Sequence, residues 1–192
     1  MVELKDLLFA AIEKGEKAEV ARLLKEGANP NAKDAQGRTA LMLASAKGES
    51  EIIKTLIKSG AKVDAKDEQG RTALTKAVSL GKDKAARTLV AAKADLDAKD
   101  TGGWTPLMWA AELGKWNTAK FLIKKGADIN AKDNAGWTPL VHAFADMHLS
   151  GAEFLISKGA KAGGKDILEF NPLRLAEKHS NKKFSKLLDK LE

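Results

Sequence analysis

The residues best suited to do chemistry in this sequence are Asp146, His148 and Ser150, which alternate over a short stretch before Gly151. A serine at the start of a helix could place its hydroxyl beside free backbone amides that stabilise an oxyanion, with the histidine as base. Catalysis also needs convergent geometry, which three alternating residues in one turn rarely supply, and serine is a favoured helix cap. We therefore expect no catalytic residues and no enzyme activity, and we keep a serine hydrolase using Ser150 and His148 as the alternative function.

A metal site is the second kind of chemistry that this region suggests. His142, Asp146 and His148 are spaced so that side chains share a helix face, and imidazole and carboxylate both bind zinc. They offer only three ligands, and the chain contains no cysteine. The glycine pairs at 102–103 and 163–164 are not followed by the Lys-Ser or Lys-Thr of a phosphate-binding loop. We expect no metal, no cofactor and no small-molecule substrate.

Composition and charge narrow the class of protein. Hydrophobic residues make up 44% of the chain and charged residues 31%, which is the range of folded globular proteins. The net charge of +7 makes single-stranded nucleic acid an alternative partner, but the 26 acidic residues are interspersed and no basic run is long. No apolar run reaches the roughly 18 residues of a membrane span. We expect a soluble chain, in the cytoplasm or, if a leader has been removed, in the periplasm.

A period of 33 residues organises the whole sequence. An aspartate marks each period, and glycine, threonine, leucine and alanine follow it in constant phase. The recurring residues are Asp34, Asp67, Asp100 and Asp133; Gly37, Gly70, Gly103 and Gly136; Thr39, Thr72, Thr105 and Thr138; Leu41, Leu74, Leu107 and Leu140; and Ala44, Ala77, Ala110 and Ala143. Such units bury their apolar faces against one another, so the period predicts a solenoid.

Each internal unit has the pattern of a turn followed by two helices. Aspartate and glycine three residues apart suit a tight turn. Thr105-Pro106 and Thr138-Pro139 suit a helix start, because threonine caps free amides and proline at the first helical position loses no hydrogen bond. We predict an all-α fold with one domain over residues 1–192. Its predicted units are an N-terminal cap at 1–33, internal repeats at 34–66, 67–99, 100–132 and 133–165, and a C-terminal cap at 166–192.

These units resemble the repeats of the ankyrin family, which look like DxxGxTPLHxAxxxG, then a second helix, then GADVNA. The resemblance is carried by DTGGWTPLMWAA at 100–111, GADINAK at 126–132 and DNAGWTPL at 133–140. It implies an ankyrin-repeat solenoid whose finger turns and first helices line a concave face that binds proteins. The chain resembles the small stand-alone bacterial members, some of which inhibit or protect against an enzyme of the same cell. The resemblance thus implies a non-enzymatic scaffold or inhibitor.

Some positions depart from the family pattern. Lys93 stands where other repeats end the second helix with glycine, and the left-handed conformation there should cost roughly 1 kcal/mol. Met147 replaces the glycine between the helices of the fourth repeat. The family's histidine after the first-helix leucine is absent, and its place is taken by Met42, Thr75, Met108 and Val141. We expect its usual hydrogen bonds between repeats to be missing.

Positions that differ between equivalent units mark the surface that is free to recognise a partner, because positions that pack should look alike. The residue after each finger glycine varies, and so do the inward residues of the first helix and those near its end. The predicted partner-binding surface consists of Arg38, Arg71, Lys76, Trp104, Trp109, Glu112, Leu113, Trp137, His142, Asp146 and Phe170.

Aromatic residues dominate one part of this surface and basic residues the other. Trp104, Trp109 and Trp137, with His142 and Phe170, are predicted to form an aromatic anchor, since tryptophan is enriched among binding hot spots. The alternative is that these rings only pack between fingers. The basic residues suit acidic residues on a partner. We therefore expect a monomer that binds a protein with an acidic patch and an apolar anchor site.

Several other residues are predicted to have structural or solvated roles. Trp116 begins a second helix at an apolar position, which predicts core packing. The lysines before each finger aspartate are predicted to be solvated, and so are the lysines on the outer face of the second helices. They are Lys33, Lys66, Lys99 and Lys132 in the fingers, and Lys54, Lys58, Lys120, Lys124 and Lys125 in the helices.

Overall fold

The computed structural model of this chain describes residues 3–161. These residues form ten α-helices and no β-strand, with one isolated bridge between Lys33 and Thr39. The helices are α1 (Leu4–Lys14), α2 (Lys17–Lys25), α3 (Ala40–Lys47), α4 (Ser50–Lys58), α5 (Ala73–Ser79), α6 (Asp83–Ala91), α7 (Pro106–Glu112), α8 (Trp116–Lys124), α9 (Pro139–Ala145) and α10 (Leu149–Ser157). The predicted all-α fold is confirmed.

The chain divides into two compact units, Met1–Thr101 and Gly102–Glu192, here called unit 1 and unit 2. Helices α1 to α6 belong to unit 1 and helices α7 to α10 to unit 2. The predicted C-terminal cap at 166–192, with Phe170, lies outside the described residues. The single domain over residues 1–192 and its division into six repeats stay predictions.

Threonine begins the first helix of each internal repeat. The hydroxyls of Thr39 and Thr72 accept the backbone N–H three residues later at 3.3 Å. Those of Thr105 and Thr138 do so at 3.4 Å, and a proline holds the first helical position after each. The predicted helix starts are confirmed. Each cap satisfies an amide that the first helical turn leaves without a partner.

At the position where the family pattern has histidine, two methionines of this chain help to cap the first helix of their own repeat. The N–H of Thr39 donates to Met42 Sδ at 3.4 Å, and the N–H of Thr105 donates to Met108 Sδ at 3.3 Å. Both methionines therefore complete a reciprocal cap within their own repeat.

Asparagines in the loops after the second helices link one repeat to the next. In unit 1, Asn31 Nδ2 donates to the Gly60 carbonyl at 2.9 Å, while its Oδ1 accepts the Lys62 N–H at 2.7 Å. In unit 2, Asn130 contacts the equivalent carbonyl and amide at 3.4 and 2.8 Å. Loop backbone groups thus gain partners in the adjacent repeat, which fixes the spacing of the repeats within each unit.

Two finger lysines have a structural role in addition to the predicted solvated one. Lys33 Nζ donates to the Lys66 carbonyl at 2.8 Å, and Lys66 Nζ donates to the Lys99 carbonyl at 2.7 Å. Both lysines are exposed, as predicted, and each also reaches the backbone of the following finger. The spacing of one repeat brings the ammonium group to that carbonyl.

The leucine two residues after each capping threonine is buried. Leu41 and Leu74 in unit 1 are at most 1% exposed, and Leu107 and Leu140 in unit 2 are fully buried. These residues lie in the interior that the repeat predicts, beside the small alanines that let helices approach closely.

Trp116 packs in the core of unit 2, as predicted. It lies against a buried cluster that includes Leu140, Phe144 and Leu155. Its indole also covers Gly151 so closely that a β-carbon there would lie 1.8 Å from the ring. Gly151 is therefore required by packing against Trp116, and this explains the glycine that follows Ser150.

Within residues 3–161, two residues other than glycine adopt the left-handed backbone conformation. Lys93 has φ of 64° and Met147 has φ of 57°. Both stand at positions where the family pattern has glycine, and both retain the backbone conformation that glycine favours. Side chains with a β-carbon are strained there by roughly 1 kcal/mol.

We expect Lys93→Gly to raise the free energy of unfolding by roughly 1 kcal/mol, because it relieves this strain. Chemical denaturation monitored by circular dichroism measures the change. Gly60→Lys is the matched control at the equivalent position, where φ is 90° and no atom lies within 4 Å of an added β-carbon. It should lower stability by a similar amount through backbone strain alone. A loss of stability in Lys93→Gly would contradict the assignment.

Candidate interaction site

Turns and first helices of unit 2 position the predicted aromatic residues. Trp104 and Trp137 directly precede the caps of α7 and α9. Trp109 lies on α7, and His142 occupies the equivalent position on α9, one repeat later. Because the caps fix where each helix begins, the four rings are held at set positions along the two helices.

The structure brings these four rings together. The Trp104 ring centroid lies 4.7 Å from that of Trp109 and 4.1 Å from that of His142, and the Trp137 centroid lies 5.4 Å from that of His142. The three indoles are half-buried, whereas His142 is buried at 1% exposure. We call Trp104, Trp109, Trp137 and His142 the tryptophan cluster.

Two carboxylates hold the imidazole at the base of the tryptophan cluster. His142 Nδ1 lies 2.9 Å from Glu112 Oε2, and His142 Nε2 lies 3.0 Å from Asp133 Oδ2. A carboxylate oxygen accepts hydrogen bonds, so an imidazolium satisfies both contacts and a neutral imidazole satisfies one. The His142 ring is thus fixed from both sides between the indoles of Trp104 and Trp137.

Asp133 is a site residue that the sequence analysis missed. Its other oxygen accepts the N–H groups of Ala135 and Trp137 at 2.9 and 2.8 Å, which orients the carboxylate within the finger turn. The Asp133 side chain is 4% exposed. A signal was present in the sequence, since His142 follows Asp133 by the same nine residues that separate Lys76 from Asp67.

The same pairing between finger and helix occurs in unit 1. Lys76 Nζ lies 2.6 Å from Asp67 Oδ2, and Arg71 Nε lies 3.5 Å from the same oxygen. The Asp67 side chain is fully buried. Burial raises the pKa of the Asp67 carboxyl, but the hydrogen bonds from Lys76 and the Arg71 backbone and the two positive charges together outweigh it, so the pKa lies below its usual value.

Arg38 in the preceding repeat also pairs with its own finger aspartate. Its Nε donates to Asp34 Oδ2 at 2.6 Å. Burial raises the pKa of the Asp34 carboxyl, while the hydrogen bonds from the Arg38 side chain and nearby backbone lower it by more. The three predicted basic residues of unit 1 therefore each contact a carboxylate of the chain.

The remaining predicted residues lie at helix ends or beyond the described region. Leu113, which caps the C-terminus of α7, is 40% exposed. Asp146 caps the C-terminus of α9 and is exposed. The Asp146 N–H donates to the His142 carbonyl at 3.2 Å as part of this cap, and among the described residues no side-chain hydrogen bond or ion pair joins Asp146 to the tryptophan cluster. Phe170 lies outside residues 3–161.

In the stretch from Asp146 to Ser150, which has residue types suited to catalysis, the His148 side chain makes structural contacts. His148 Nε2 donates to the backbone carbonyl of Glu112 at 3.0 Å, and the His148 ring packs edge-on against Trp116 with centroids 5.9 Å apart. Within residues 3–161, no hydrogen bond joins His148 to Ser150 or Asp146. His148 thus supplies a hydrogen bond between repeats of unit 2.

Within residues 3–161, no group of three or more histidines and carboxylates is arranged to hold a metal ion. In the same part of the chain, every helix is too short or too polar to cross a bilayer.

Comparison with known proteins shows the family. A family model described as ankyrin repeats (3 copies) matches residues 7–100 and residues 93–166. No curated protein matches the chain. Since the two matched segments cover most of the sequence, the chain belongs to the ankyrin-repeat family, whose helical repeats are generally protein–protein interaction modules.

We expect the Asp67 ion pair to make stability depend on pH. The Asp67 pKa is lower in the folded state than in the unfolded chain, so its contribution is present above about pH 4 and is lost as pH falls through the folded pKa. Denaturation of the wild type, Asp67→Asn, Lys76→Met and the double variant gives the coupling energy at each pH. We expect a coupling of about 1 to 3 kcal/mol at neutral pH that vanishes in strong acid. A coupling independent of pH would contradict this.

We expect His142→Leu to lower the free energy of unfolding by about 3 kcal/mol, because Asp133 would stay buried without its ring donor. Adding Asp133→Asn to His142→Leu should recover part of the loss. His148→Leu is the matched control, since it removes one hydrogen bond to a carbonyl and should cost about 1 kcal/mol. Equal losses in the two histidine variants, measured by thermal or chemical denaturation, would contradict the role of His142 as the ring donor to the buried Asp133 carboxylate.

Proposed function

We propose that the chain is a non-enzymatic interaction module that binds a protein partner through the tryptophan cluster. The observation that carries the proposal is the gathering of three half-buried indoles on the finger turns and first helices of unit 2. Large aromatic side chains contribute more binding energy per residue than other types, and tryptophan is enriched among hot spots.

The rigidity of the cluster supports this role. Threonine caps hold α7 and α9 at their starts, and the two carboxylates fix His142 between Trp104 and Trp137. Side chains that are already ordered lose little conformational entropy when a partner binds. The tryptophan cluster therefore offers a preorganised apolar anchor.

Packing alone is the competing interpretation of the same rings. The contacts of Trp104 with Trp109 and His142 are those that a purely structural cluster also makes. The two interpretations differ in what truncation does: loss of binding with the fold retained supports an anchor, and loss of the fold with binding unaffected per folded molecule supports packing.

The prediction that the partner carries an acidic patch rests on three basic residues, all of which lie in unit 1. Arg38, Arg71 and Lys76 are paired with Asp34 and Asp67, so three positive charges face two carboxylates. The remaining positive charge at this site is small. We propose that electrostatic attraction at these residues adds to the rate of encounter more than to affinity.

The contacts of the tryptophan cluster and of the basic residues add no support for the narrower role of an enzyme inhibitor, or for the alternative functions of a hydrolase and a nucleic-acid binder. Inhibition of, or protection against, an enzyme of the same cell rests on the resemblance to small stand-alone members. A hydrolase using Ser150 would need His148 as base, and His148 Nε2 donates to the backbone carbonyl of Glu112. Single-stranded nucleic acid could stack on indoles, and it serves as a control ligand below.

The test compares partner capture by the wild type and by Trp104→Ala, Trp109→Ala and Trp137→Ala, singly and together. Each variant is first checked for folding by circular dichroism and thermal denaturation. The partner recovered from a lysate of the source cells is purified, and its affinity is measured by biolayer interferometry. Loss of a hot spot worth about 2 kcal/mol weakens binding about 30-fold, and we expect at least this from the triple variant.

The matched control is Phe121→Ala with Phe154→Ala, which removes aromatic area from the second helices of the same unit. We expect this control to bind within about threefold of the wild type, as rim substitutions do. Equal affinity of the folded triple variant would show that the anchor is elsewhere. Tighter binding of a generic oligonucleotide than of any protein would favour the nucleic-acid alternative.

A further inference from the structure

Unit 1 has a groove on its second helices that the proposed function does not use. It lies between α4 and α6 and has a volume of about 460 Å³. Ile57 contributes to its lining from α4, and Thr88, Ala91 and Ala92 do so from α6 and its end. We call it the α4–α6 groove.

Basic side chains line both walls of the α4–α6 groove. Lys54 and Lys58 come from α4, four residues apart and hence on one helix face, while Lys84 and Arg87 come from α6. Lys54 pairs with Glu51 at 2.9 Å. No hydrogen bond or ion pair within residues 3–161 uses the ammonium group of Lys58 or Lys84.

The positive charge around the groove lowers the pKa of the Glu51 carboxyl on α4. The hydrogen bond and charge of Lys54 lower the pKa of the exposed Glu51 carboxyl, and the charges of Lys17 and Lys84 lower it further. These lysines belong to α2, α4 and α6, so the positive field extends across three second helices of unit 1.

Unit 2 has an aromatic side chain at the position that corresponds to Thr88. Phe154 is in phase with Thr88, and Lys120 with Lys54, each two repeats later. Lys120 Nζ lies 5.4 Å from the centre of the Phe154 ring, and Lys158 Nζ lies 5.9 Å from it. An aromatic ring close to two ammonium groups thus occupies, in unit 2, the position that Thr88 holds in unit 1.

We propose that the α4–α6 groove binds an acidic amphipathic helix of a protein partner, which places an aromatic side chain over Thr88 and carboxylates against Lys58 and Lys84. Charge complementarity selects the acidic helix, and the place of Phe154 in unit 2 selects the aromatic residue. Two parallel helices leave a groove that the side-chain ridge of a third helix fits. A helix of this kind would contact both the lysines and the apolar residues Ile57, Ala91 and Ala92 of the groove, and binding to a membrane surface is an outcome of the test.

The probe is a synthetic peptide of about four helical turns with phenylalanine and leucine on one face and glutamate on both flanks. A scrambled peptide of the same composition lacks that face. Titration of ¹⁵N-labelled protein, followed by amide shifts, should show saturable changes at Ile57, Thr88 and Ala91 for the patterned peptide only. Affinity should fall with added salt, since the contacts are partly ionic.

Two variants separate the apolar from the ionic contact. Thr88→Phe places an aromatic ring in the groove wall at the position that Phe154 holds in unit 2 and leaves the charge unchanged, while Lys58→Glu with Lys84→Glu reverses charge on the walls. We expect each to weaken peptide binding at least about 10-fold, a loss typical of a buried anchor or close charge pairs. Lys14→Glu with Lys62→Glu is the matched control, because both lysines are exposed and lie outside the groove.

Three outcomes overturn the proposal. The first is equal binding of the patterned and scrambled peptides, or of neither. The second is unchanged affinity in Thr88→Phe and in the wall variant. The third is binding of phosphatidylserine vesicles, but not of the peptide, that depends on Lys58 and Lys84, which would assign the groove to a membrane. Peptide binding should be unchanged in the triple tryptophan variant, so this test is independent of the proposed function.

Discussion

Helices of seven to eleven residues dominate this chain, and helices this short are marginal in water without packing against a neighbour. This requirement explains why leucine and alanine recur in phase while other positions vary. It also explains the polar links within each unit, because stacked repeats bury loop amides and carbonyls that need partners. Asn31 and Asn130 provide such links with side chains in the same phase of the repeat.

The finger aspartates connect this architecture to the candidate site. One oxygen of Asp67 and of Asp133 accepts amides of its own turn, and the other faces a cation or an imidazole nine residues later. A residue needed to form the turn therefore also orients a side chain of the first helix. In unit 1 that arrangement sets one carboxylate against Arg71 and Lys76, whereas in unit 2 it holds His142 among indoles. Similar backbone positions thus carry surfaces of different chemistry.

Repetition also gives the molecule an internal comparison. Met42 and Met108 complete helix caps at the place of the family's histidine, and His148 supplies a hydrogen bond between repeats from another position. Phe154 places an aromatic ring beside Lys120 at the position that Thr88 holds in the groove two repeats earlier. Differences at equivalent positions show which contacts the fold requires and which side chains are available for recognition.

The period of 33 residues, the threonine caps, the buried leucines and the left-handed Lys93 and Met147 could be determined from the sequence alone. They depend on local geometry and on a repeat that imposes the same packing many times. The ring contacts of the tryptophan cluster, the carboxylates on His142 and the lysine bonds between fingers were decided by tertiary structure. Each joins residues on different elements, and their hydrogen-bonding distances depend on how the helices pack, which sequence spacing alone does not specify.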